Sequence, residues 1–200
     1  MRKLLTLSAE GKLRLRAPDG VETDLRTTRR NALLLIDTSG SMAGAKIEQA
    51  KRGAIDFAHS ATRKRYATAL AIFADRAAMV CDPSIDAAEF TRKIDRLQVG
   101  LVGGTTDLAA GLDLAGQFRE LSAVVIVTDG QTNNNAAALA AGARLKSRGV
   151  DIICIGTDDA DSEFLKRLAT RADLALHVAA QELRSAITGA SRLLGGGNEL

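Results

Sequence analysis

Short apolar segments alternate with longer amphipathic segments along most of this chain. Leu33, Leu34, Leu35 and Ile36 form an uninterrupted apolar run, and a second such run covers residues 124–127. Runs of branched aliphatic residues are typical of strands that are buried on both faces of a parallel sheet. The predicted strands are residues 32–36, 67–73, 77–81, 123–128, 151–155 and, with a weaker pattern, 175–178.

The segments between these strands repeat their apolar residues at helical spacing. In the first of them, Ile47, Ala50, Ala54, Phe57 and Ala58 recur on one helix face. The predicted helices are residues 46–62, 87–97, 108–119, 136–148, 162–171 and 181–193. This alternation predicts a doubly wound α/β fold, in which a mostly parallel central sheet carries helices on both faces. Two strands follow each other directly across residues 74–76, so we expect one antiparallel edge strand.

The first thirty residues follow a different pattern. Leu5 and Leu7 alternate with polar residues before a turn at residues 10–11, and Leu13 and Leu15 do so after it. This pattern indicates a β-hairpin. We therefore divide the chain into an N-terminal β-hairpin extension at residues 1–30, one α/β domain at residues 31–193 and a flexible tail at residues 194–200.

The composition is that of an ordinary globular domain. The chain has 200 residues, of which 46% are hydrophobic, enough for a sizeable core. No apolar run reaches the roughly 20 residues of a membrane-spanning helix, and the short apolar stretch after Met1 is soon followed by charges, unlike a signal peptide. We therefore expect a cytoplasmic protein without membrane contact. Cys81 and Cys154 lie in apolar segments, and we expect buried free thiols.

Basic residues are concentrated in the predicted hairpin, although the formal net charge is only +3. They include Arg14, Arg16, Arg26, Arg29 and Arg30. A basic patch can meet RNA or an acidic partner. No aromatic residues are interleaved for base stacking, so a solvated surface is the favoured interpretation. Nucleic acid is therefore not the expected partner, and an RNA-binding scaffold remains the alternative.

Oxygen-bearing side chains follow the first buried strand at the point where it ends. Asp37, Ser39 and Ser41 alternate through a turn that contains Gly40. Carboxylate and hydroxyl oxygens are ligands for hard cations such as Mg²⁺. Helix capping is the alternative role for Asp37 and Ser39, because such side chains also accept hydrogen bonds from the first amides of a helix.

Two further segments are expected at the same edge of the sheet. Asp129 follows the strand at residues 123–128, and Thr106 ends a Gly-Gly-Thr-Thr segment directly before the helix at residues 108–119. Ligand sites in open α/β sheets lie outside the carboxyl ends of the strands, at the switch point of the topology. Each residue alone could serve as a cap or a turn. Together with Asp37 they predict one oxygen-lined cage.

This set of motifs resembles the metal-ion-dependent adhesion site of von Willebrand factor type A domains. That family carries Asp-x-Ser-x-Ser, as in residues 37–41, then a threonine from a Gly-Gly-Thr-type loop and an aspartate from a strand that ends Thr-Asp-Gly, as in residues 128–130. The resemblance covers roughly residues 31–193 and agrees with the order of strands and helices. It includes the antiparallel edge strand.

The resemblance implies a set of metal ligands. Ser39, Ser41 and Thr106 would bind a divalent ion directly, and Asp37 and Asp129 would bind it directly or through water. Thr105 is a credible substitute for Thr106, although the spacing to the following helix favours Thr106. The ion would be Mg²⁺, with Mn²⁺ and Ca²⁺ as alternatives, and the open coordination position would accept an Asp or Glu side chain from a partner protein.

The expected function is therefore a non-enzymatic, metal-dependent protein-binding module, an intracellular bacterial adaptor. The resemblance implies an AAA-type ATPase or a multiprotein assembly as partner. No histidine has an obvious Ser or Cys partner for catalysis. A Mg²⁺-dependent phosphatase with Asp37 as nucleophile is the enzymatic alternative. Phosphatases of the haloacid dehalogenase type place a second acid where this chain has Ser39, and no suitably placed catalytic lysine is evident from the sequence.

Several other polar residues lie beside the predicted site. Asp75 is interpreted as a turn residue, and Asp107 either caps the following helix or orients the threonine loop. Asp158 and Asp161 belong to an acidic cluster that suits the start of the next helix. Asn133 is expected in a solvated loop near the metal face.

Overall fold

A computed structural model describes residues 30–195 in full and the backbone of three N-terminal strands. These strands are β1 (Leu4–Leu7), β2 (Leu13–Arg16) and β3 (Glu22–Asp24). β1 pairs with β2 in antiparallel register, as a hairpin does, and β3 adds a third strand beside β2. The side chains of residues 1–29, which carry most of the expected basic surface, lie outside the described residues. So do residues 196–200 of the expected tail.

The main sheet has six strands and its order is β6-β5-β4-β7-β8-β9. The strands are β4 (Arg30–Asp37), β5 (Tyr66–Phe73), β6 (Ala77–Ser84), β7 (Leu121–Thr128), β8 (Asp151–Thr157) and β9 (Ala175–Val178). All neighbouring pairs are parallel except β5 and β6, which are antiparallel. The expected mostly parallel sheet with one antiparallel edge strand is thereby confirmed.

Six α-helices cover the sheet on both faces. They are α1 (Ala45–Arg63), α2 (Ala87–Asp95), α3 (Leu108–Gly116), α4 (Asn135–Ser147), α5 (Ser162–Leu168) and α6 (Leu183–Leu193). Short 3-10 helices occupy Gly40–Met42, Ala172–Leu174 and Ala180–Glu182. α1 packs against α2 and α6 on one face, and α4 packs against α3 and α5 on the other. The predicted doubly wound α/β fold is therefore confirmed.

The core is aliphatic and lies between the sheet and both helix layers. The apolar run of β4 is completely buried, and so are Phe57 of α1 and Phe73 of β5. Both cysteines are buried and free, as the sequence predicts, and burial raises the pKa of the Cys154 thiol to about 12. Among the described residues, no helix combines the length and the apolar character that crossing a bilayer requires.

Three helices end earlier than their apolar periodicity predicts. After α2, the amide of Leu97 donates a hydrogen bond to the carbonyl of Ile94. After α3, the amide of Gln117 donates one to the carbonyl of Leu114. These bonds to the third preceding residue tighten the last turn, so the apolar spacing continues beyond the α-helix itself. After α5, the amide of Thr170 bonds to Ile152 of β8. This hydrogen bond to the neighbouring strand replaces the next helical one, so α5 ends at Leu168.

The topology has its switch point between β4 and β7. From β4 the chain moves outward to β5 and β6, then crosses back to β7 on the other side of β4. The connections from β4 and β7 therefore leave the sheet edge on opposite sides of a crevice, which is where open α/β sheets bind ligands. Asp37 and Asp129 stand at the carboxyl ends of these two strands.

Close contact between α1 and α6 predicts opposite effects for two glycines. A Cβ at Gly53 of α1 would lie 2.9 Å from Cβ of Ile187 in α6, whereas nothing lies within 4 Å of a Cβ at Gly189 of α6. Gly53→Ala is expected to lower the free energy of unfolding by about 1–2 kcal/mol through overpacking. Gly189→Ala is expected to raise it by about 0.5–1 kcal/mol through helix propensity. Urea denaturation measures both, and equal stabilisation by the two variants would contradict the close packing.

Candidate metal centre

Asp37 links the ends of the two central strands. Its side chain is completely buried at the last position of β4. Its Oδ1 accepts a hydrogen bond of 2.8 Å from the backbone amide of Ser39, and its Oδ2 accepts one of 2.7 Å from Oγ1 of Thr128, the last residue of β7. Hydrogen bonds within the protein thus hold both carboxylate oxygens in place.

The environment of Asp37 favours the approach of a cation. Burial raises the pKa of this carboxyl above its ordinary value, and the negative charge of Asp129 raises it further. The hydrogen bonds from Ser39 and Thr128 act in the opposite direction without cancelling the effect. Two buried carboxylates beside each other destabilise their charged forms, and a bound cation relieves both the desolvation and the repulsion.

The two serines connect Asp37 to Asp129. Oγ of Ser39 lies 3.2 Å from Oγ of Ser41, and Ser41 Oγ donates a 2.7 Å hydrogen bond to Oδ1 of Asp129. The 3-10 turn that carries Ser41 is anchored by Met42, whose side chain is completely buried. Ser41 itself is exposed, whereas Asp37, Ser39 and Asp129 are buried. The cluster therefore opens to solvent on the side of Ser41.

Thr106 reaches this cluster from the loop before α3. The side chain is buried, and its Oγ1 lies 3.4 Å from the position that a Cβ would take on Gly130. Its hydroxyl thus lies beside Gly130, the residue after Asp129. Thr105 is exposed instead, and its hydroxyl donates to Oδ1 of Asp75. The geometry favours Thr106 over Thr105 as the residue that faces the cluster.

Asp75 holds the threonine loop from one side. It lies between β5 and β6, where the sequence indicates only a turn, and its Oδ1 also accepts the backbone amide of Thr105 at 2.7 Å. These hydrogen bonds from Thr105 lower the pKa of the Asp75 carboxyl. Gly103 has a φ of +121°, and any side chain there would collide with Asp75. The glycine is therefore required for the loop to approach Asp75.

The loop after β7 holds the same threonines from the other side. The backbone amide of Asn133 donates to the carbonyl of Thr106 at 2.9 Å, and its Nδ2 donates to Oγ1 of Thr105 at 3.1 Å. The hydroxyl of Thr132 also donates to the Thr106 carbonyl, at 3.3 Å. Asn133 is therefore part of the support of this loop, a role that its place in a polar loop did not reveal.

Sequence reasoning missed Lys46, and it missed that Asp158 pairs with this lysine beside the cluster. Lys46, in the first turn of α1, places its ammonium against Oδ2 of Asp129 and 2.9 Å from Oδ2 of Asp158. A signal for Lys46 was present in the sequence, because a cation in the first turn opposes the helix dipole and needs a compensating partner. Asp158 pairs with this lysine across the sheet edge, so its role differs from the helix-start role expected for the acidic cluster.

Three other polar residues act as helix caps. Asp107 accepts the amide of Ala110 at the start of α3, and Asn134 accepts that of Ala137 at the start of α4. Asp161 accepts the amide of Phe164 at the start of α5, as the sequence indicates for its cluster. These side chains satisfy helix amides, so they are not counted among the candidate ligands.

The donor set of the cluster fits a hard divalent ion. It consists of two carboxylates and three hydroxyls, and oxygen donors of this kind suit Mg²⁺, Mn²⁺ and Ca²⁺. Within residues 30–195, no group of three or more His, Cys, Asp or Glu residues is placed to hold a metal. The hydroxyl-rich cluster at the ends of β4 and β7 is the candidate metal centre because of its own oxygen donors.

Comparison with known families identifies the protein family of this chain. Residues 31–189 match the von Willebrand factor type A domain family, and the chain belongs to this family. The match spans β4 to α6, which includes every member of the cluster. Comparison with curated proteins gave no match.

Solved structures share the fold at low sequence identity. Proximal thread matrix protein 1 from the mussel byssus is 21% identical with a TM-score of 0.71, and the match covers 82% of this chain and 46% of that protein. This chain therefore spans about half of its length. A further structure of the byssus protein has a zinc-occupied metal-ion-dependent adhesion site motif, at 18% identity, a TM-score of 0.64 and the same coverages.

Two proteins from other organisms have the same fold. The von Willebrand factor domain of the type V pili tip protein Mfa5 from Porphyromonas gingivalis is 15% identical with a TM-score of 0.70, and the match covers 85% of this chain and 97% of that one. The manganese-loaded TRAP protein of Plasmodium vivax is 19% identical with a TM-score of 0.63, and the match covers 80% and 72%. A zinc-occupied and a manganese-loaded structure thus occur among the structural neighbours.

Loss of the Asp75 carboxylate is expected to weaken divalent-ion binding at the cluster. Asp75→Ala removes both hydrogen bonds from Thr105 and loosens the loop that carries Thr106, so affinity for Mg²⁺ should fall about tenfold, the lower end of the effect of outer-shell partners. Isothermal titration calorimetry measures this change. Asp82→Ala on β6 is the control, and an Asp75→Ala affinity equal to that of the control would contradict the positioning role.

Proposed function

We propose that this domain is a metal-dependent protein-binding module that captures an acidic side chain of a partner protein. The observation that carries the proposal is the convergence of two buried carboxylates and three hydroxyls at the switch point of the sheet. The residues that would hold the divalent ion are Asp37, Ser39, Ser41, Thr106 and Asp129. When bound, the ion supplies a positive charge with a coordination position that a partner's carboxylate can occupy.

The side chains of the cluster divide this task between them. Asp37 and Asp129 lie on the floor of the site, where burial in a low dielectric strengthens their attraction for a cation. Ser41 lies at the solvent side, so a partner approaches past its hydroxyl. Asp75 and Asn133 fix the loop of Thr106 from two sides. The loop is therefore ordered before an ion or a partner binds, which lowers the entropy cost of binding.

The proposed ion is Mg²⁺, with Mn²⁺ and Ca²⁺ as alternatives. All five candidate ligands offer oxygen, and oxygen donors suit these hard cations better than thiolate or imidazole donors would. The byssus protein with a zinc-occupied metal-ion-dependent adhesion site motif supports a divalent ion at this site, and the TRAP protein is a second structural neighbour that is loaded with a divalent metal.

The absence of enzymatic activity is part of the proposal. A phosphatase-like mechanism needs Asp37 as a nucleophile, yet this side chain is completely buried and both its oxygens already accept hydrogen bonds. The ammonium of Lys46 is paired with two carboxylates. In the described part of the chain, neither His59 nor His177 hydrogen-bonds to a Ser or Cys side chain. These contacts favour recognition over catalysis.

The proposed setting is an intracellular bacterial adaptor that works in the cytoplasm. An AAA-type ATPase or a multiprotein assembly is the proposed class of partner, and this part of the proposal rests on the family resemblance. Such a partner would present an exposed Asp or Glu to the Ser41 side of the site.

Substitution of the two loop threonines tests the metal site directly. Thr106→Val keeps the shape of the side chain but removes the hydroxyl that faces the cluster, so Mg²⁺ affinity should fall by more than the roughly 10- to 100-fold typical of outer-shell losses. Thr105→Val keeps the hydrogen bond from the backbone amide of residue 105 to Asp75. Its Mg²⁺ affinity should therefore fall only a few-fold. Calorimetry measures both, and a larger loss in Thr105→Val would assign the ligand to Thr105 instead.

Partner capture with and without metal tests the proposed function. The domain carrying Asp37→Ala is compared with the wild type in Mg²⁺ and in EDTA, followed by identification of proteins that differ. We expect capture to require both Asp37 and the ion, and thermal melting checks that the variant is folded. Identical capture by Asp37→Ala, with unchanged sensitivity to EDTA, would refute metal-mediated recognition.

A further inference from the structure

Lys46 places a positive charge inside the candidate metal centre. Its ammonium contacts Oδ2 of Asp129, while Oδ1 of the same carboxylate accepts the hydroxyl of Ser41. The side chain of Asp129 is 1% exposed and that of Lys46 is 18% exposed. One of the two oxygens that Asp129 could offer to a divalent ion is thus already in contact with a cation from the chain itself.

The position of Lys46 in its helix is unfavourable without these contacts. It is the second residue of α1, close to the positive end of the helix dipole. The helix begins after Gly44, and no side chain caps its first amides. Burial disfavours the charge of Lys46, yet the hydrogen bonds to Asp129 and Asp158 raise its pKa above the ordinary value. The two carboxylates therefore hold this ammonium in place.

Asp158 offers the ammonium a second position outside the cluster. It follows β8 directly, and β8 is the neighbour of β7, so the two carboxylates stand at the same edge of the sheet. Its φ of +51° lies in the left-handed region, which aspartate tolerates better than most residues. Its side chain is 42% exposed. A lysine that leaves Asp129 thus keeps an ion pair with Asp158.

We propose that Lys46 is a tethered competitor of the divalent ion, which neutralises Asp129 in the metal-free protein and moves fully onto Asp158 when the ion binds. This inference rests on the proposed metal site. The ion and the ammonium repel each other and draw on the same carboxylate, so each weakens the hold of the other on Asp129. The Lys46–Asp158 pair therefore sets how tightly the site holds its ion.

The charges of the four groups agree with this exchange. Without the ion, one ammonium contacts the carboxylates of Asp129 and Asp158, and Asp129 lies close enough to Asp37 to repel it. With the ion, Asp37 and Asp129 balance its two positive charges, and Asp158 balances Lys46. Neither state leaves a cation buried without a partner, which is the costly arrangement for charged groups in a protein.

Calorimetry with Mg²⁺ on two variants tests the exchange, because competition predicts opposite signs. Lys46→Met removes the competitor, and we expect about tenfold tighter binding, consistent with couplings measured for close charge pairs. Asp158→Asn removes the second position while tolerating the same backbone conformation, and we expect several-fold weaker binding. The controls are Lys51→Met on the same helix and Asp159→Asn beside the second position.

Thermal melting in EDTA supplies a readout that does not depend on the ion. Without Lys46, the buried carboxylates of Asp37 and Asp129 face each other with no cation, so Lys46→Met should melt at a lower temperature than the wild type in EDTA. Saturating Mg²⁺ should remove that deficit. The combination of weaker metal-free stability and tighter ion binding is the signature of a competitor and is not expected of a purely structural ion pair.

The outcomes separate this inference from the proposed function. Weaker or unchanged Mg²⁺ binding in Lys46→Met, while the wild type binds Mg²⁺ and Asp37→Ala does not, would overturn the competition and leave the metal site intact. Binding that appears only in Lys46→Met would support the competition strongly. If neither the wild type nor Lys46→Met binds Mg²⁺, Mn²⁺ or Ca²⁺, both the inference and the proposed metal site are wrong.

Discussion

The arrangement of the site depends on two carboxylates that the fold buries side by side. Asp37 ends β4 and Asp129 follows β7, and each is almost completely excluded from water. Such a pair is unfavourable unless hydrogen bonds and positive charge compensate it. Thr128, the Ser39 amide and Ser41 supply the hydrogen bonds, and Lys46 supplies the charge. The polar contacts at this sheet edge follow from this single electrostatic requirement.

The rest of the domain keeps that edge rigid. Parallel pairing of β4 with β7 brings the two acids together, and helices on both faces bury these strands so that they cannot shift. The threonine loop is less regular, yet Asp75 and Asn133 bind it from opposite sides. Gly103 leaves the space that the loop needs beside Asp75. A site held in this way is ordered before ligands arrive, which suits a recognition module whose affinity depends on fixed geometry.

Membership of the von Willebrand factor type A domain family accounts for the fold and for the candidate ligands. The solved structures share that fold at 15–21% identity, so very different sequences form the same architecture. The ion pair that joins Lys46 to both Asp129 and Asp158 adds an internal cation to this framework. In the proposed exchange, this pair makes the strength of ion binding depend on residues outside the five candidate ligands.

The sequence by itself determined the secondary structure, the parallel sheet and the two acids at the strand ends. These follow from local apolar periodicity and from the rule that strand ends share one edge of a sheet. Helix spacing in the sequence already favours Thr106, and the tertiary structure alone decided that Asp75 and Asn133 hold its loop. It also decided that Lys46 pairs with Asp158. These contacts join residues far apart in the chain, and charge pairing across a sheet edge leaves no periodic trace in the sequence.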